Sequence, residues 1–226
     1  MNLPFLPYNL ARQPDHKHVR LLVAPDARTG EYWYENLKYW LADPASLFWF
    51  SDWETLPYDQ YTPHPDLVAE RLRVLAELPT RTHGIVIASA AALRQRLCPQ
   101  THLDKYGIHL AIGDRLARDA LIQRLIDAGY QRNAHHISGK GEYAARGNIV
   151  DLYPMNAADP IRLEWFDDSI DSIRTFAVAD QRTLEKLSSI SILPRSELDL
   201  SDAGRTCYRQ NARLHYGEKI VDSPLY

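Results

Sequence analysis

The 226-residue chain carries 29 acidic and 26 lysine or arginine residues, a formal net charge of −3, and is 45% hydrophobic. That is enough apolar material for one large core or two small ones, and it supplies no global basic field of the kind that attracts a phosphate backbone. Cys98 and Cys207 lie far apart with no CxxC spacing and no signal peptide ahead of them, which reads as reduced thiols in a cytoplasmic protein; the longest apolar runs fall well short of the about 20 residues that span a bilayer, so no membrane role is expected.

In chain order, Met1 to His18 holds Pro4, Pro7 and Pro14 and no period, and is expected to be a poorly ordered lead-in. Val19 to Ala24 reads as a buried strand, Thr29 to Leu41 as an aromatic-rich helix, and Leu47 to Phe50 as a second short strand. Trp53, Leu56 and Tyr58 are expected to pack a loop over the sheet. A helix over about Asp66 to Leu78 follows, with Val68, Leu72, Leu75 and Leu78 as its apolar stripe. Gly84 to Ala88 is a third strand, and Ser89 is placed to cap an alanine-rich helix after it. This alternation of strand and helix predicts a parallel sheet with helices on its faces, over residues 19–105.

At Pro99 the character changes. The stretch Pro99 to Gly107 reads as a linker, Ile108 to Ile112 as a strand, and Asp114 as the N-cap of a helix running to Ala128 with Leu116, Ala120, Leu121 and Leu125 inward and Gly129 as its terminator. Strands are then expected over Ile149 to Tyr153, Ile161 to Phe166, Ile170 to Val178 and Leu187 to Leu193, with Asp167-Asp168-Ser169 as a tight hairpin. This α+β module spans 106–195. Residues 196–226 read as a return segment toward the first domain, and the chain as a piece of a longer protein.

On Ile161 to Phe166 the alternation sends Ile161, Leu163 and Trp165 inward and Arg162, Glu164 and Phe166 to the opposite face. An arginine, a carboxylate and a large aromatic together are enriched at protein-binding patches, but the same pattern fits an ordinary surface. Arg162 pairing with Glu164 or Asp171, and Arg146 steadying the turn at Gly147, are the structural alternatives.

No GxxxxGK[ST], GxSxG, HExxH or CxxC occurs; Gly139-Lys140-Gly141 reads as a flexible connection, and the adjacent His135 and His136 face opposite ways on a strand. No catalytic, cofactor-binding or metal-binding residue is assigned. From Glu142 to Lys186 nine acidic residues face five basic ones, which disfavours DNA as the ligand of this region. Arg115, Arg118 and Arg124 do not form one helical stripe, so a DNA-binding face there is not expected.

Two stretches, DWETLPYDQYTPHPDLVAERL at 52–72 and GEYAARGNIVDLYP with IRLEWFDDSIDSIRTF and QRTL over 141–184, together resemble the N-terminal region of the bacterial transcription-repair coupling factor family (Mfd). The resemblance runs from about Val19 to Glu197. It implies a degenerate RecA/helicase-like α/β domain without a P-loop, carrying an inserted α+β module like the second domain of UvrB. The function it implies is a non-enzymatic module that imitates UvrB and recruits UvrA to a stalled RNA polymerase, with no cofactor. RNA polymerase, double-stranded DNA and ATP-dependent translocation would belong to parts of the family's full-length proteins beyond this stretch. The family's UvrA-contacting positions fall on Arg146, Arg162 and Phe166, and Glu164 shares their face. Phe166→Ala or Arg162→Glu is then expected to weaken UvrA binding with the fold intact.

The alternative is a UvrB-like or helicase-like DNA-binding protein. UvrB carries a P-loop ahead of the equivalent of Val19 and a long aromatic hairpin between the equivalents of Leu93 and His109. Here the first is missing and the second interval holds one aromatic, Tyr106, so the coupling-factor family is favoured.

Overall fold

In a computed structural model, which describes residues 6–11, 18–55, 62–199 and 201–217, the chain forms two units: Met1–Glu54 with Glu70–Leu97, and Thr55–Ala69 with Cys98–Tyr226. Cys98 to Lys105 thus group with the second unit. The lead-in is not featureless either: α1 (Leu6–Ala11) is a six-residue helix, and Tyr8 meets Trp40 edge to face at 5.4 Å between ring centroids.

The first unit is a three-stranded parallel sheet of β1 (Val19–Ala24), β3 (Gly84–Ser89) and β2 (Leu47–Phe50), in that spatial order. β2 is buried at every residue because helices cover both faces. Leu47 and Trp49 pack with Trp33 and Leu37 of α2 (Ala27–Trp40), and Phe48 and Phe50 with Val74 of α3 (Pro65–Glu77). β1 departs from the buried strand expected of it. Leu22 and Ala24 join the α2 side, whereas Val19, Leu21 and Val23 are exposed.

α2 begins where Asp26 Oδ1 accepts the Thr29 N–H at 2.7 Å, which satisfies one of the helix's unpaired donors and lowers the Asp26 pKa. Gly30 sits under Trp49, and a Cβ there would meet the indole at 2.5 Å. Arg71 of α3 is fully buried, its guanidinium 4.3 Å from the Phe50 ring centroid and 5.1 Å from that of Trp53, with Nη1 donating to Ser51 O at 2.7 Å. Trp53 is thus packed as expected, while Leu56 and Tyr58 lie outside the described residues. The alanine-rich run after β3 forms only a 3₁₀ turn, Ala92–Arg94, with Ser89 Oγ accepting the Ala92 N–H at 3.0 Å.

In the second unit the expected linker is a helix, α4 (Gln100–Tyr106), leading into β4 (Ile108–Ala111). Asp114 does not cap the next helix. Its carboxylate takes the Ala111 N–H at 2.7 Å and its carbonyl the Ile170 N–H at 3.0 Å, so α5 (Arg118–Asp127) starts later. Leu121 and Leu125 are its buried stripe, and Ala120 is exposed. At its end Gly129 takes φ +86°, and the Tyr130 N–H reaches back to Leu125 O at 2.9 Å, the bond that closes a helix on a left-handed glycine.

A six-stranded sheet follows in the order β10 (Thr183–Leu187), β9 (Ser169–Phe176), β8 (Ile161–Phe166), β7 (Ile149–Leu152), β6 (Glu142–Arg146), β5 (Gln131–Arg132), antiparallel except for β5 with β6. Its inner face packs Tyr143, Val150, Leu152, Ile161, Leu163, Trp165 and Ile173 against α5 and against the pair formed by β4 with β11 (Ser189–Ile192). The Trp165 indole N–H donates to Leu116 O at 2.7 Å. α6 (Asp202–Tyr216) is capped by the Ser201 hydroxyl, which accepts from Gly204 N. Among the described residues no helix is long and apolar enough to cross a membrane.

The two thiols sit in opposite environments. Burial first, and the nearby Glu197 carboxylate second, push the Cys98 thiol up to about 12, whereas Cys207 is exposed on α6. A thiol-disulfide reagent at pH 8 is expected to titrate one thiol in the native chain and the second only after denaturation, because the thiolate is the reacting form. Two equivalents reacting at once without denaturant would contradict this packing.

Candidate protein-docking face

The sheet of the second unit has an inner face full of apolar side chains, so period-two alternation places the polar residues of β6 to β10 on its outer face. Cross-strand register then lines them up. Ala144 lies opposite Asp151, Asp151 opposite Arg162, Arg162 opposite Arg174, and Arg174 opposite Lys186. One step along, Arg146 lies opposite Ile149, Ile149 opposite Glu164, and Glu164 opposite Ser172. Sequence alternation on β8 therefore predicts the face correctly, and register supplies its neighbours.

Asp151 is the hub. Its side chain is 3% exposed, and Arg162 grips it in a two-point ion pair, Nε to Oδ1 at 2.6 Å and Nη2 to Oδ2 at 2.9 Å. Arg146 adds a third bond, Nη2 to Oδ2 at 3.0 Å. A buried carboxylate is strongly destabilising unless paired and hydrogen-bonded, and here both conditions are met. The hydrogen bond to Asp151 in turn raises the Arg162 pKa, against the effect of burial. Arg162 also donates Nη2 to Gln181 Oε1 at 2.9 Å and lies 4.6 Å from the Phe176 ring centroid. Phe176 belongs to a small second core on this face with Ile137, Ala144 and Tyr153.

Arg162 does not pair with Glu164 or Asp171, the partners read as alternatives from the sequence. Glu164 is ion-paired with Arg174 and accepts the Ser172 hydroxyl at 2.9 Å. A register shift between Glu164 and Trp165 sets two residues of β9 against one of β8, and beyond it Phe166 faces Ser169 across the hairpin. Asp167 makes the hairpin turn with φ +51°. Phe166 is 72% exposed, Arg146 keeps 54% of its side chain in solvent, and Arg162 keeps 19%.

The loop before β6 bonds to the start of that strand. Glu142 accepts the Ser138 N–H at 2.7 Å and the Ser138 hydroxyl at 3.1 Å, and although burial works against its carboxylate, these bonds together lower its pKa. Lys140 pairs with Asp66 at 3.3 Å, and Gly141, at φ +80°, has no room for a Cβ beside the Arg195 side chain.

Two comparisons bear on this face. A family model described as the UvrB interaction domain matches residues 108–198, the stretch that includes all of it. The transcription-repair-coupling factor of Escherichia coli (strain K12) is 39% identical over 211 residues, 93% of this chain and 18% of that protein. That of Haemophilus influenzae is 40% identical over 203 residues, 90% and 18% respectively, and that of Bacillus subtilis 40% identical over 134 residues, 59% and 11%.

The chain belongs to the transcription-repair-coupling factor family. It spans about a fifth of the length of the first two relatives.

For this member of the coupling-factor family, the sequence-derived residues Arg146, Arg162, Glu164 and Phe166 do come together on one sheet face. Asp151, Arg174 and Gln181, which hold three of the four in place, were missed. The irregular connection between β7 and β8 leaves their register open in sequence, so nothing announced Asp151 opposite Arg162. The negative count from Glu142 to Lys186 also misdescribes the face, which carries Arg146, Arg162, Arg174 and Lys186 against Glu142, Asp151 and Glu164; most of the remaining acids lie in turns or along the edge strand. Among the described residues no three His, Cys, Asp or Glu side chains gather as a metal site.

Proposed function

We propose that this chain is the UvrA-docking part of a coupling factor, imitating UvrB to bring UvrA to a stalled RNA polymerase in the cytoplasm. The first unit is then a degenerate RecA/helicase-like domain, and the second corresponds to the second domain of UvrB. The observation that carries the reading is Phe166, 72% exposed at the hairpin end of the sheet face that also carries Arg146 and Arg162, on the stretch that matches the UvrB interaction domain. An exposed aromatic on a face that also presents arginines has the composition of an interface anchor, and those arginines suit carboxylates or carbonyl ends on the partner.

No step of chemistry is assigned to the chain itself. RNA polymerase binding, DNA binding and ATP-driven translocation are functions of the longer proteins of this family. The nucleotide-dependent alternative is disfavoured at β1, where the helix start that could receive a phosphate is already occupied by the Asp26 carboxylate. Calorimetric titration of the chain into purified UvrA tests the proposal: a saturable complex is expected from the wild type and a much weaker one from Phe166→Ala. Equal binding by the two would refute it.

A further inference from the structure

Resting on that docking reading, we infer that Asp151, together with Gln181, is a positioning pair. They touch no partner, and fix Arg146 and Arg162 in the orientation in which UvrA meets them. Asp151 is nearly inaccessible, so it acts only through the arginines it holds. Arg162 alone already gives its carboxylate a two-point ion pair. The added bond from the half-exposed Arg146 is therefore not required to neutralise Asp151, and exposed ion pairs of this kind contribute little to folding. What that bond does achieve is to order a long side chain before any partner arrives, which removes part of the entropy lost on binding.

Gln181 adds a second, independent sign. Its φ is +62°, a left-handed backbone state that favours glycine, yet it is a glutamine whose amide oxygen accepts from Arg162 at 2.9 Å and whose amide nitrogen donates to Val178 O at 3.2 Å. A glycine would satisfy the backbone with less strain, so the side chain is retained at a conformational cost where it meets Arg162.

The test is a binding cycle on the whole chain with purified UvrA, with thermal unfolding recorded for each variant. Asp151→Asn keeps the shape but loses the charge and one acceptor, and is expected to weaken binding about tenfold; in an Arg146→Ala background the same change is expected to cost only about threefold, since one of its two targets is gone. A purely structural Asp151 would give effects that multiply. Gln181→Gly is expected to leave the melting temperature unchanged or raised and still weaken UvrA binding about threefold. If Phe166→Ala weakens binding while Asp151→Asn binds like wild type, or its effect multiplies with that of Arg146→Ala, the positioning inference fails and the docking face stands. If Phe166→Ala binds like wild type, the docking face itself is wrong. Should Asp151→Asn not fold, Gln181→Gly decides: reduced affinity in a stable protein supports the inference, and wild-type affinity overturns it.

Discussion

Arg162→Ala is expected to lower the stability of this chain by about 3 kcal/mol, and a loss below about 0.5 kcal/mol in denaturant unfolding would contradict the packing described above. The reason is the carboxylate left behind. Asp151 is 3% exposed and takes two of its three arginine bonds from Arg162, so the variant leaves a desolvated charge with one half-exposed partner, Arg146. The guanidinium also covers Phe176 in the small outer core, and its removal uncovers that ring. Arg162→Glu is expected to be worse, because it sets a second carboxylate against the buried one. Charge reversal at this position thus cannot serve as a fold-neutral probe of binding, contrary to what the sequence suggests. The outcome also separates roles: Arg162 serves the fold as well as the face, whereas Arg146 and Phe166 are the more exposed side chains.

Phe166→Ala is expected to behave in the opposite way, with unfolding unchanged within about 0.5 kcal/mol and UvrA affinity reduced by at least about tenfold. At 72% exposure the ring contributes little to the core, so truncating it removes little buried area. Its position beyond the register shift on β8, next to a hairpin whose turn is fixed by Asp167 at φ +51°, holds it on a rigid element. A rigid aromatic loses little conformational entropy on burial and fits the centre of an interface, where truncation costs most. A melting temperature lowered by many degrees would instead place Phe166 in the fold, and unchanged affinity would remove it from the interface.

Much of this was legible in the sequence because one physical signal dominated. The segment Ile161–Phe166 alternates without exception, and its strand bounds in the structure are those expected. Asp167-Asp168 carries turn chemistry and makes the turn. Reading failed where a local preference was spent on something else. Asp114 has the side chain of an N-cap but closes the turn after β4. Ser89 caps as expected, yet the run behind it ends as a 3₁₀ turn, since a short stretch before Pro99 cannot sustain helix nucleation without a face to bury. Pro99 makes the stretch to Gly107 read as a linker, although proline is well tolerated at a helix start, and His102, Leu103 and Tyr106 are the buried face that stabilises the helix Gln100–Tyr106. The positioning of Arg146 and Arg162 by Asp151 and Gln181 needed cross-strand register, which single-strand patterns do not contain.

The most direct test of the docking face is amide hydrogen exchange of the chain with and without saturating UvrA. Exchange is expected to slow at the Gly147-Asn148 and Asp167-Asp168 turns and along β8 and β9, with β1, α2 and β2 unchanged. Slowing confined to the first unit, with the two turns and the β8–β9 hairpin exchanging as in the free chain, would contradict it.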